Sequence, residues 1–188
     1  MQTLAFAIRQ MITISEQELN GLLAECYPKR FAPKELLGEQ GRVSNEIFFI
    51  AHGLTRSLII DPAGVEHTIH FSAENQFICD YSSFMLKTPA TNSIQAVEPT
   101  EVIVMPRSAI EWGYRTLEQG DRLGRLIAEY YFIYFDNRLK NQYLFTAAQR
   151  YENIGKVFPN IHNRVPQHMI ASYLGISPVH LSRLRNAR

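Results

Sequence analysis

Between Ser15 and Cys26 the apolar residues Leu19, Leu22 and Leu23 fall on one helical face, and Ser15 followed three residues later by Glu18 makes a capping box. A short helix is predicted there. After Pro28 the period changes. Five short apolar or β-branched runs follow, Ile47–Ile50, Leu54–Ile60, Thr68–Phe71, Ser93–Val97 and Val102–Met105, separated by turn chemistry at Gly41, Gly53, Asp61–Gly64, Ala73–Asn75 and Glu98-Pro99. Strands at such spacing predict an antiparallel sandwich or barrel, with Cys79–Leu86 as a short inserted helix. Past Pro106 the pattern turns helical, opening on a second capping box at Ser108 and Glu111. Asp121–Phe145 then carries Leu123, Leu126, Ile127, Tyr130, Ile133, Tyr134 and Asn137 at spacings of three and four. A helix of about 25 residues spans nearly 40 Å, more than a small sandwich needs as a cover. Dimerisation along those seven residues is the favoured use, with packing on the chain's own sandwich as the alternative. Thr146 and Gln149 make a third capping box, so a fresh helix starts near Thr146.

Composition narrows the class. With 46% hydrophobic and 20% charged residues in 188, the chain is an ordinary globular one rather than disordered or fibrous. No apolar run reaches the roughly 18 residues of a membrane helix, and MQTLAFAIRQMITIS has no cleavable signal site. A soluble cytoplasmic protein with no membrane partner is expected. Cys26 and Cys79 are too few for a disulfide framework or an iron–sulfur cluster.

Charge divides the chain. Residues 1–137 hold 11 Lys/Arg against 17 Asp/Glu, whereas residues 138–188 hold 8 Lys/Arg against Glu152 alone. The acidic part is repelled by polyanions and the basic part drawn to them. A merely solvated basic face reads the same on charge, so spacing has to decide.

Residues 165–184 fit a helix-turn-helix position by position. Pro166 suits a first helical turn, Ile170 and Leu174 face a partner helix, and Ala171 is small where two helices cross. Gly175 supplies the left-handed turn, Ile176 plugs the gap, Ser177 caps the second helix, and Pro178 takes its first position. Leu181 and Leu184 complete the core face. A second helix lying in the major groove presents Ser177, Val179, Ser182, Arg183, Arg185, Asn186 and Arg188 to double-stranded DNA. Arg183 is the candidate base reader, because a guanidinium bonds two guanine acceptors at once. Ser177 and Ser182 suit phosphates, and Arg185, Arg188 and Lys156 suit the backbone.

A β-roll, a long helix and a C-terminal IASYLGISPVHLSRLR together resemble the Crp/Fnr family of bacterial transcription regulators. FTAAQRY and the Asp61–Gly64 hairpin add to the likeness, particularly to its Bacteroidetes-type members. The resemblance implies an α+β fold: a jelly roll like a cyclic-nucleotide-binding domain over 1–120, a dimerisation helix over 121–145, and an all-α head over 146–188. It implies a homodimeric regulator whose roll senses an effector, and it leaves room for contact with RNA polymerase. The chain stops at Arg188, directly after the second helix, so a head lacking most or all of the β-hairpin wing is expected.

The effector pocket departs from the family pattern. Members that bind cyclic AMP use a Gly-Glu pair at the cassette helix and an Arg-Ser or Arg-Thr pair on the cyclic phosphate. Here Cys79-Asp80 holds the first place and Ala90-Thr91, followed by Asn92, the second. Ala90 removes the bidentate partner of the phosphate. No cofactor is therefore expected, and an apo-active regulator or a different pocket ligand takes the place of cyclic AMP. Two other readings compete: a small-ligand sensor without strong DNA binding, and a cupin-like metal enzyme. For the latter His67, His70 and Glu74 are the candidates, but residues three apart on a strand face opposite sides, so no metal site is expected. Haem ligation by His52, His67 or Cys79, or a thiol switch at Cys26 or Cys79, needs a placement that spacing does not supply.

Overall fold

The computed structural model describes residues 1–186. It opens on a helix that the sequence pattern did not reveal, α1 (Gln2–Met11), which buries Leu4 and Ile8 one turn apart, with Ile12 buried just beyond its end. The second helix, α2 (Glu16–Leu23), has both bonds of its capping box. The Glu18 amide donates to Ser15 Oγ at 3.2 Å, and the Ser15 amide donates to Glu18 Oε2 at 3.0 Å.

Eight strands follow: β1 (Tyr27–Phe31), β2 (Leu36–Gly38), β3 (Glu46–His52), β4 (Thr55–Ile60), β5 (Glu66–Ser72), β6 (Phe77–Ile78), and, after helix α3 (Tyr81–Leu86), β7 (Ser93–Ala96) and β8 (Thr100–Pro106). They form two antiparallel four-stranded sheets, ordered β1-β8-β3-β6 and β2-β7-β4-β5. This is the expected jelly roll, closed on Phe31, Phe48, Ile50, Ile78, Ile94, Ala96, Val102 and Val104. The five predicted runs are β3, β4, β5, β7 and β8. β1, β2 and β6 went unseen because YPKRF is mostly exposed and the other two are only three and two residues long.

Helix α4 (Arg107–Thr116) leaves β8 directly, with Pro106 at its cap position and no side-chain cap bond. The expected Ser108 capping box is therefore corrected. β8 runs on to the proline that starts the helix, and the Ser108 hydroxyl donates instead to Glu25. The long helix is α5 (Gly120–Leu144). A Cβ on Gly120 would meet the Gly113 carbonyl oxygen at 2.3 Å, backbone that cannot step aside, so glycine is what lets α5 start against α4.

The head contains α6 (Ala147–Val157), α7 (Ile161–Arg164), α8 (Gln167–Leu174) and α9 (Pro178–Asn186). The Thr146–Gln149 box caps α6 with both bonds present. The head does not stand apart from the roll. Its core of Ile154, Phe158, Ile161, Ile170 and Leu181 is continuous with Leu54 and Phe71 of the roll. β5 is a sheet edge, and α8 covers it: the Thr68 amide donates to Ser172 Oγ at 2.8 Å, and the Phe71 ring lies 5.2 Å from Tyr173. Arg164 adds a charged clasp, reaching Glu74 Oε1 at 2.7 Å and Glu98 Oε1 through Nε at 3.1 Å.

The seam residues of α5 divide between two neighbours. Leu123, Leu126 and Ile127 pack into the cluster of α1, α2 and α4, and Tyr134 packs into the head, its hydroxyl 3.0 Å from that of Tyr173. These four are corrected as seam residues, because the three-and-four spacing is spent on the chain's own cores. Tyr130, Ile133 and Asn137 stay exposed. Beside Tyr130 and Ile133, the helix also leaves open Phe132, Phe135, Leu139 and Tyr143, which are 74%, 46%, 60% and 84% exposed. Among the described residues no helix is long and apolar enough to cross a membrane.

Candidate nucleic-acid interface

The turn of the bihelical unit is built as its residues dictate. Gly175 ends α8 with φ +68°, and the Ile176 amide reaches back to the Ala171 carbonyl at 3.0 Å, closing a Schellman turn. Ala171 is fully buried at the crossing. The His180 amide donates to Ser177 Oγ at 3.2 Å, so Ser177 caps α9. Leu181, 1% exposed, locks α9 onto the head, and Leu184 packs beside it.

Everything else on α9 faces outward. Ser177, Val179, Ser182, Arg183, Arg185 and Asn186 are all exposed, Val179 to 62%. Arg188, the remaining expected contact, lies outside the described residues. The chain has no Asp or Glu after Glu152, and Arg183 and Arg185 make no ion pair among the described residues. Exposed guanidiniums without carboxylates nearby are a surface that attracts phosphate. Ser177 has two tasks in the sequence reading, cap and phosphate contact, and its oxygen is engaged by the cap.

The roll presents a cavity of about 370 Å³ at the expected effector site, where Asp80, Ala90 and Asn92 meet Glu39, Arg42 and Glu46. Its electrostatics oppose a phosphate. Three carboxylates line it against one guanidinium, and that guanidinium, Arg42, is paired with Glu39 at 2.8 Å. Asp80 is turned to structural work: it accepts from the Ser83 amide at 2.9 Å, capping α3, and from the Thr91 and Asn92 amides at 2.8 and 3.3 Å. Thr91 donates its hydroxyl to the same carboxylate at 3.3 Å and is exposed. Ala90 is buried, exchanging backbone bonds with Gly41 and Arg42. Cys79 is not among the cavity-lining residues, and burial, followed by the Asp80 charge, pushes its thiol up to about 12. Burial likewise pushes Cys26 up to about 11, so neither thiol is poised for exchange near neutral pH.

The histidines separate. His67 is exposed and lies 2.8 Å from Asp61 in the β4–β5 hairpin, whereas His70 is buried. Among the described residues no group of three or more His, Cys, Asp or Glu is placed to hold a metal ion. His70 sits at the junction of roll, α5 and head, its ring 4.7 Å from Tyr134, 5.3 Å from Phe135 and 6.2 Å from Phe158. Among the described residues neither of its ring nitrogens has a hydrogen-bond partner. No pattern in the sequence marks His70, Phe71 or Arg164 as junction residues, since each meets partners from segments far away in the chain.

The fold and this site together define an eight-stranded roll joined to a bihelical head. Residues 28–116 match the family model of the cyclic nucleotide-binding domain. Over most of its length the chain shares its fold with three solved structures of bacterial proteins. FixK2 from Bradyrhizobium japonicum is 14% identical and superposes with a TM-score of 0.72 over 86% of this chain and 83% of its own. A putative regulator of the Crp/Fnr family from Eubacterium rectale gives 10% and 0.72, over 93% and 83%. The c-di-GMP responsive global regulator CLP from Xanthomonas campestris gives 10% and 0.70, over 92% and 91%. No curated protein sequence matches the chain.

Proposed function

We propose that the protein is a sequence-specific, double-stranded-DNA-binding transcription regulator of the Crp/Fnr type, acting in the cytoplasm as a homodimer. The observation that carries this is α9: an exposed helix, capped and locked by Ser177 and Leu181, that offers Val179, Ser182, Arg183, Arg185 and Asn186 with no carboxylate among them. Arg183 reads guanine, Val179 meets a thymine methyl group, and Ser182 and Arg185 hold phosphates. Two copies join along α5, where their own chain leaves Tyr130, Phe132, Ile133, Phe135, Leu139 and Tyr143 open. Cyclic AMP is not the effector of the roll, because a cyclic phosphate would face Glu39, Glu46 and Asp80 with no free guanidinium. Selection of bound sequences from a random duplex pool tests the reading. A paired half-site is expected, and Arg183→Ala relaxes preference at one position per half-site, costing about 1–3 kcal/mol. Unchanged selection by that variant removes Arg183 from base reading.

A further inference from the structure

A second cavity, of about 320 Å³, opens where α5 meets α6 and α8. That volume falls within the range of small-molecule sites, about 300–1,000 Å³. Its charge is the reverse of the roll cavity. Arg138 and Arg150 line it together with Asn137, Asn141, Gln142 and Asn153, and no carboxylate does. Tyr173, Leu174, Ile154 and Val157 give it an apolar wall.

Both arginines grip the end of α8, where the bihelical turn begins. Arg138 lies 3.8 Å over the Tyr173 ring and donates to the Tyr173 carbonyl at 3.2 Å. Arg150 donates to the Leu174 carbonyl at 3.1 Å and, from the other side of its fork, to the Phe145 carbonyl at 2.7 Å. One donor is left over: Arg150 Nε is buried and has no acceptor among the described residues. That atom is sealed from solvent, so an anion in the cavity would meet the terminal nitrogens of the two arginines, whose charge no lining carboxylate balances.

We propose that this hinge cavity binds a small organic carboxylate with an aromatic or branched apolar body. The carboxylate is held by Arg150 and Arg138, and the body lies against Tyr173, Leu174 and Ile154. Half-apolar walls suit such a molecule better than a phosphodiester chain or a free inorganic ion. Because the same arginines hold the carbonyls of Tyr173 and Leu174, a bound anion competes for the donors that fix the turn before α9. That regulatory consequence rests on the DNA-binding reading, whereas the binding itself does not.

The test is calorimetric titration of the full chain with 1-naphthoate, its neutral amide and inorganic phosphate. Saturable binding of naphthoate is expected, at least tenfold weaker for the amide and for phosphate. Arg150→Gln should weaken naphthoate at least tenfold. Because that variant also removes a cap on α8, Val157→Glu at the half-exposed wall serves as the second probe; it places a carboxylate in the cavity and should have the same effect. No saturable binding of naphthoate, equal affinity for the amide, tighter binding of phosphate, or unchanged affinity in both variants overturns the proposal. DNA selection without any added ligand is a separate readout, so loss of one result leaves the other standing.

Discussion

His70→Leu removes an imidazole from an aromatic cage that gives it nothing to bond. The residue is 4% exposed, both nitrogens are unpartnered among the described residues, and burial, with Arg138 adding a like charge, pushes its pKa from 6.5 down to about 3. A histidine lowered in this way contributes stability that is complete above the unfolded value, near 6.5, and lost as pH falls toward the folded value, because the unfolded chain takes up the proton first. Between pH 7.5 and 5.0 these two values make the native state lose about 2 kcal/mol through this one group. The window lies above carboxylate titration. Leucine is close to histidine in volume; losing ring contacts costs about 1 kcal/mol, and removing two unsatisfied polar atoms offsets this or more. Urea unfolding at the two pH values is the assay. The variant should be at least as stable at pH 7.5, within about 1 kcal/mol, and should lose about 2 kcal/mol less than the parent at pH 5.0. Parallel losses in both proteins would refute the assignment of a neutral, unpaired His70.

The other predictions address the turn, the clasp and the dimer face. Gly175→Ala places a Cβ at φ +68° with no clash, only an ordinary contact with Gln142, so backbone strain alone should cost about 1–2 kcal/mol in thermal unfolding and lower DNA affinity by displacing α9. Arg164→Ala leaves Glu74 and Glu98 facing each other. For this partly exposed triad a loss of about 1–2 kcal/mol is expected at pH 7.5, reduced from the buried-pair figure for solvent screening. Glu74, which burial pushes up but the Arg164 and Gly53 bonds hold below the usual carboxylate range, stabilises the parent above its unfolded pKa and stops doing so as acid protonates it. The variant's deficit should therefore shrink below about pH 4; a deficit independent of pH counts against the clasp. Leu139→Glu changes an exposed residue, so it should leave the melting temperature within a few degrees and turn a sedimenting dimer into a monomer; an unchanged sedimentation coefficient removes that face.

Local chemistry was the legible part of the sequence. The boxes at Ser15–Glu18 and Thr146–Gln149, the alternating runs that became β3 to β5, β7 and β8, and the turn through Gly175 depend on residues within one or two turns of each other. The Ser108 box failed because the same spacing has no force when a strand runs straight into a proline-started helix. Helix α1 stayed hidden because Leu4 and Ile8 acquire their meaning only against α5 and β3. On α5 the spacing identified an apolar helix but not its neighbours, so residues spent on two internal cores were read as one seam. Of the candidate sites, the outward face of α9 followed from its own periodicity. The acidic lining of the roll cavity and the basic lining of the hinge cavity did not, since each gathers side chains from segments far apart in the chain.

The most direct measurement is fluorescence anisotropy of a selected duplex titrated with the full chain at several salt concentrations. Binding should weaken linearly in log–log form, with a slope of about −0.9 for each phosphate neutralised by Arg183, Arg185 and their neighbours in both copies. If no duplex from the random pool shows salt-sensitive binding, α9 is not a recognition helix and the account is contradicted.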